Sequence, residues 1–344
     1  MLDCPPLCAG DSIKLHNMTM SMKRVRRRVA IGLMRAARAA NRSRPARVLL
    51  RGRSVRRFPL VNRIYHAVFR LGVATGDRDM EARYRGVVLT GPVWDATIMP
   101  SVSGGYYEEF EVGVFERLAS VSHSIFDVGA NIGVYACTGA ARVAAGGRLV
   151  AFEPVPENLA YLRRNVERNE LTGRVSVEPM AVGDSPGELT VHLSGEQSGK
   201  HSAAAANVGT PVETITVPMT SIDAYLADRG LTPPDLVKID VEGYEGFVLR
   251  GATQALAASP TLLFELHPEL QANCGCDASE LLDLVFAHYR WVFLVDELDG
   301  VLRPCGRAEL DSPGAIGLYR SNLVAIGRPD HLEAVRQWHD LDLG

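Results

Sequence analysis

One stretch limits the fold more than any other: Ser124-Ile125-Phe126-Asp127-Val128-Gly129-Ala130-Asn131-Ile132-Gly133. An apolar run ends in an acid, then turns through two glycines into a helical pattern. That order predicts a buried strand whose carboxyl end meets a helix N-terminus, the crevice where open α/β sheets bind ligands. About twenty residues on, a second apolar run, Leu149-Val150-Ala151-Phe152, ends in Glu153. An acid at that distance can accept hydrogen bonds from both hydroxyls of a ribose. Together the two runs predict a site for an adenosine-containing cofactor.

The chemistry of the turn narrows the ligand. Gly129 permits a tight bend, and Gly133 allows close packing of the first helical turn. Asn131 stands where a middle glycine is common and suits an N-cap. A side chain there crowds a pyrophosphate but tolerates a ligand without phosphate, such as S-adenosylmethionine. Asp127 would then help to hold the methionine ammonium. A nucleotide-dependent oxidoreductase on a related sheet is the competing reading, and an inactive methyltransferase-like binding protein is a third.

Strands are expected near 124–128, 148–153, 175–182, 236–241, 261–267, 291–295 and 322–326. Helices are expected near 108–119, 131–144, 156–169, 220–229, 244–257, 278–288 and 330–338. Alternation of this kind, with apolar strands, predicts a parallel sheet covered on both faces. An extra β pair, 188–193 and 213–219, is inserted before the fourth main strand. Its connecting loop, 194–211, carries Lys200-His201-Ser202 and reads as a substrate lid, with His201 a solvated loop residue. Residues 71–105 read as turn-rich.

Charge divides the chain. Residues 1–76 hold 17 Lys and Arg against 2 acids, and residues 77–344 hold 20 against 38. The division sets a basic extension, 1–76, apart from a catalytic domain, 77–344, whose motifs lie within 120–300. The extension's electrostatics suit contact with an anionic surface. No apolar run reaches the ~20 residues needed to cross a bilayer. The six cysteines show no metal-finger spacing and read as reduced thiols of a cytoplasmic protein.

Five blocks in order resemble the FkbM family of S-adenosylmethionine-dependent methyltransferases. They are Asp127–Gly133; Ala151-Phe152-Glu153-Pro154 with Pro156, Asn158, Leu162 and Asn165; Ala181-Val182-Gly183-Asp184 with Gly187; Lys238-Ile239-Asp240-Val241-Glu242-Gly243; and Phe264-Glu265-Leu266-His267-Pro268. The resemblance implies a Rossmann-like class I fold: seven strands, mostly parallel, the last antiparallel. It implies S-adenosyl-L-methionine as cofactor and transfer of its methyl to a hydroxyl on a small-molecule, glycan or lipid-linked acceptor. Gly129, Ala130 and Gly133 would line the methionine half, Glu153 would hold the ribose, and Ala181 would sit near the adenine. Tyr107 and Glu108 would cover the cofactor.

Methyl transfer is an in-line displacement, so the protein supplies alignment and a base. Strand alternation puts Lys238, Asp240 and Glu242 on one face, an arrangement that is costly unless paired or functional. Asp240 is the expected base or substrate orienter, tuned by Lys238, with a structural Lys238–Asp240 or Lys238–Glu242 ion pair as the plain alternative. Glu265 and His267 form a second cluster, in which His267 could accept the hydroxyl proton. These acids could also hold Mg²⁺, but no metal is assigned.

Overall fold

The computed structural model describes residues 79–311 and 321–340, except 96, 106 and 196. The basic extension 1–76 lies outside the described residues.

A β-hairpin opens the described chain: β1 (Asp79–Tyr84) and β2 (Val87–Pro92), joined at Arg85 and Gly86, which both have positive φ. Two helices follow, α1 (Ile98–Gly104) and α2 (Glu109–Ala119). The described part of the segment read as turn-rich is therefore a hairpin and a helix. Its strands are short, and they are tied to the rest by side-chain amides that no local pattern reveals. Asn165 and Asn169 each bond the N–H and C=O of a β2 residue, Thr90 and Val88 respectively.

The alternation then runs as expected: β3 (Ser124–Val128), α3 (Val134–Ala140), β4 (Arg148–Phe152), α4 (Pro156–Arg168) and β5 (Val175–Glu178). Pro156 opens α4, where its missing N–H costs nothing, and Leu159, Leu162 and Val166 give it one buried face. The insert comprises β6 (Ala181–Val182), β7 (Gly187–Leu193), α5 (Ala205–Val208) and β8 (Glu213–Thr220), which form a separate three-stranded sheet. After α6 (Ile222–Arg229) come β9 (Leu236–Ile239), α7 (Glu245–Arg250), α8 (Thr253–Ala257) and β10 (Thr261–Leu266). The chain continues through α9 (Pro268–Asn273), α10 (Ala278–His288), β11 (Trp291–Asp296), β12 (Val301–Pro304), α11 (Arg307–Asp311), β13 (Ser321–Ile326) and α12 (Pro329–Ala334).

The main sheet has the order β12-β11-β13-β10-β9-β3-β4-β5. Five neighbours, β10 through β5, are parallel, and β13 is antiparallel to both β10 and β11. The sheet has eight strands rather than seven. The eighth, β12, is an edge strand that hairpins onto β11 through a turn at Gly300. Only Leu302 of its four residues is buried, so it carries no apolar run to betray it.

Alternation sends Ile125, Leu149 and Leu263 to one face with Phe115 and Leu332, and Phe126, Phe152 and Phe264 to the other with Tyr225 and Leu281. Such continuous apolar strands belong to sheets buried on both sides. A single long helix expected at 244–257 is two, parted at Gly251, where a Cβ would lie 2.1 Å from the Gly183 carbonyl and glycine is required. No helix among the described residues is long and apolar enough to cross a membrane.

Candidate active site

Register assembles the site. Phe152, Val128, Ile239 and Phe264 stand side by side in β4, β3, β9 and β10. The next residue of each strand gives the row Glu153, Gly129, Asp240, Glu265 along the carboxyl edge of the sheet. The chain at Gly129 lies against that at Asp240: a Cβ on Gly129 would sit 1.9 Å from the Asp240 carbonyl oxygen. With φ of +82° as well, the position requires glycine.

The turn extends further than the sequence suggests. Gly129, Asn131 and Gly133 all have positive φ, and α3 starts only at Val134 with Gly133 as its N-cap. Asn131 is therefore not the cap. Its Oδ1 accepts from the neighbouring Ile132 N–H, and its Nδ2 donates across the cleft to the Ser198 carbonyl at 2.8 Å. Gly133 packs on α4, not on the sheet, since a Cβ there would meet Leu162 at 2.6 Å.

Glu153 is 4% exposed. Its carboxylate accepts the Asn131 N–H at 2.8 Å and the Val155 N–H at 2.9 Å. Burial pushes its carboxyl up to about 7 despite those bonds. Beside it, Asp127 and Lys238 are both buried on the α3 face. Lys238 Nζ lies 3.3 Å from Asp240, 3.8 Å from Asp127 and 4.7 Å from the Tyr135 ring centroid. Burial opposes its charge, but Asp240 and then Asp127 outweigh that and hold it above the ordinary lysine range. Asp127 is raised to about 6, burial exceeding the pull of Lys238. Of the two ion pairs offered as the plain alternative, Lys238–Asp240 is the one formed.

Above Lys238, the Tyr135 hydroxyl lies 2.9 Å from Glu108 and 2.8 Å from Glu111. One phenol proton cannot serve both acids. Burial, then the charge of Glu108, push the Glu111 carboxyl well above its ordinary range.

Two cavities flank the row. The first runs from Glu153 to apolar walls at Val155, Met180, Ala181, Leu189 and Val191. The second is bordered by Thr97, Ser101, Tyr107, Glu108, Gln197 and Lys200, with Ala130, Tyr135 and Lys238 at its base. Five residues line both: Gly129, Asn131, Gly199, Asp240 and Glu242. The insert's loop forms the partition. Ser198 accepts from Asn131 and Asn158 through its carbonyl, and its N–H donates to buried Asp95. Ser202 Oγ donates to the Glu242 carbonyl at 2.8 Å.

Other expected residues lie apart from the cavities. His267 borders neither; it is the N-cap of α9, its Nδ1 accepting the Leu270 N–H at 3.4 Å. Glu265, at the end of the row, is buried, and oxygens of Asp240, Glu242 and Glu265 come within 4.8 Å of one another. That proximity assigns no ion, since close acids are common without one. The turn after Asp240 is held by Glu245, which accepts from the Val241 and Gly243 N–H groups and from Gln271. The signal for it was faint: an acid in the first turn of a short helix. His201 is half-buried in the first cavity, not solvated.

The model of the methyltransferase FkbM domain matches residues 127–306, just over half of the chain. The chain belongs to the FkbM methyltransferase family. Members use S-adenosylmethionine, and the oxidoreductase reading falls. Among FkbM relatives, the hexuronic acid methyltransferase AglP of Haloferax volcanii is 34% identical over 146 residues, 42% of this chain and 55% of that one. The 31-O-demethyl-FK506 methyltransferase FkbM of Streptomyces tacrolimicus is 32% identical over 161 residues, 38% of this chain and 60% of that one. The chain thus matches little more than half the length of either. Solved structures that resemble it include an O-methyltransferase from Bacillus cereus (13% identity, TM-score 0.35, covering 63% of this chain and 79% of that one). Another is the O-methyltransferase TomG from Streptomyces achromogenes (10% identity, TM-score 0.36, covering 64% and 79%).

The residues present fit the FkbM cofactor. The first cavity joins a buried carboxylate to an apolar slot, as a ribose and a base require. The second brings Glu108, Asp240 and Glu242, alongside Lys200 and Lys238, to the glycine turn, so carboxylates are at hand for a sulfonium and an ammonium.

Proposed function

We propose that the protein is an S-adenosylmethionine-dependent O-methyltransferase acting on a hydroxyl of a small-molecule, glycan or lipid-linked acceptor. The observation that carries this reading is that Asp240 lies at the junction of the two cavities, one step along the sheet edge from Gly129. Glu153 holds the ribose, and Ala181 borders the adenine. Gly129, Ala130 and Asn131 shape the turn around the methionine half, with Tyr107 and Glu108 around its charged end; Gly133 and buried Asp127 border neither cavity and support the turn from behind.

When bound, the cofactor supplies an electrophilic methyl. Asp240 accepts the acceptor's proton as oxygen attacks. Its carboxylate keeps 26% exposure, so an acceptor can reach it, and Lys238 fixes its orientation. The base is Asp240 rather than His267 because the latter borders neither cavity and its Nδ1 caps a helix. The hydroxyl, amide and ammonium groups of the second cavity suit a polyhydroxy acceptor, and the uronic-acid name of the Haloferax relative points the same way.

The test is incubation with methyl-labelled cofactor and a panel of acceptors headed by uronic-acid glycans, with products followed by mass spectrometry. Label in an ether linkage is expected. Failure to bind S-adenosylmethionine, or label only on nitrogen or carbon, defeats the reading.

A further inference from the structure

His201 belongs to the insert, outside every block that carries the family resemblance. Yet it borders the first cavity together with Glu153, Ala181, Leu189 and Val191. Its loop is fixed at both sides: Ser198 is clasped by Asn131 and Asn158, and Ser202 pairs with His192 through two backbone bonds of 2.8 and 3.2 Å. The ring is therefore held where it is by structure, not by chance of a loose loop.

One hydrogen bond settles which nitrogen carries the proton. The Ser194 N–H donates to His201 Nδ1 at 3.0 Å. A nitrogen that accepts a backbone N–H has its lone pair free, so a neutral ring must carry its proton on Nε2. Burial keeps the ring neutral, lowering it to about 4 against the weak opposing pull of Asp95. Nε2 has no hydrogen-bond partner among the described residues. The cavity thus holds an acceptor, Glu153, suited to the hydroxyl protons of a ribose, and a donor with no partner of its own.

We propose that His201 is a cofactor-binding residue whose Nε2–H donates to an acceptor atom of the adenosine half of S-adenosylmethionine. Acceptors of that chemistry are the ring nitrogens of the base and the ribose oxygens. The assignment rests on the cofactor reading above and adds a grip that the inserted sheet, not the core motifs, provides.

The test is calorimetric titration of S-adenosylhomocysteine into the full chain and two variants. His201→Asn keeps an acceptor for the Ser194 N–H but ends short of the Nε2 position. His201→Gln reaches that position with an amide N–H. The Asn variant is expected to bind about tenfold more weakly and the Gln variant within about threefold of wild type. Wild-type affinity in the Asn variant, or equal losses in both, overturns the assignment alone. Absence of binding by well-folded wild type overturns the cofactor reading and this assignment with it. Deaza and deoxy analogues then separate base from ribose: the analogue missing the partner atom loses nothing further in the Asn variant. Strict additivity for every analogue overturns the proposal as well.

Discussion

Glu153→Gln separates the cost of burying this acid from its use. In the folded chain the carboxyl titrates near 7, against an ordinary 4.5. Between those values the folded state holds a proton that the unfolded state has lost, so stability falls as pH rises through the window and is level on either side. The fall is worth about 3 kcal/mol. Glutamine cannot ionise, so the variant lacks this slope. It has a fixed cost instead. The Asn131 and Val155 N–H groups both donate to the carboxylate, and an amide can accept only one of them, at a penalty of about 1–3 kcal/mol. The comparison that matters is therefore the change with pH. Urea titrations at pH 4.5 and 8 should show the variant gaining about 3 kcal/mol on wild type. Binding should move oppositely: affinity for S-adenosylhomocysteine should rise with pH in wild type and drop at least about tenfold at pH 8 in the variant. A stability difference that does not change with pH would refute the argument from burial. Unchanged affinity would refute the ribose contact.

Asp240→Asn should lower turnover by about 10²–10⁴-fold while leaving S-adenosylhomocysteine affinity within about threefold; steady-state kinetics and calorimetry on the same preparations check the split. Lys238→Met strands the buried Asp127 carboxylate and should cost about 3–5 kcal/mol at neutral pH. The deficit should shrink as pH falls towards 6 and level off below it, because without Lys238 the Asp127 carboxyl takes up its proton above its wild-type value of about 6, and should mostly disappear in the Asp127→Asn/Lys238→Met double variant, both readable by urea unfolding. Asn165→Leu removes bonds to both backbone groups of Thr90 and to the Ile132 carbonyl; a loss of at least about 3 kcal/mol is expected in thermal or urea melts.

What the sequence reveals and what it hides divide along one line. The sheet from β5 to β10 is legible because its strands are continuous apolar runs, and the row Glu153–Gly129–Asp240 follows because each residue ends such a run. The hairpin 79–92, the helix α1 and the edge strand β12 are not. Their strands are short or exposed, and their anchors are long-range amides such as Asn165 and Asn169. In the site, Asp127 and Lys238 stood out as charges in apolar strands. Glu245, Ser198 and the tautomer of His201 did not, since each acts through a backbone group that residue type leaves undefined. Asn131 was seen as important for a reason the structure replaces: it clasps the insert instead of capping a helix.

That clasp has an evolutionary reach. Two carboxamides from separate motifs, Asn131 and Asn158, converge on the single carbonyl of Ser198. A lengthened or shortened insert would change the tension on both at once. Lineages could therefore retune how tightly the nucleoside is gripped by editing a peripheral hairpin, leaving every signature block untouched.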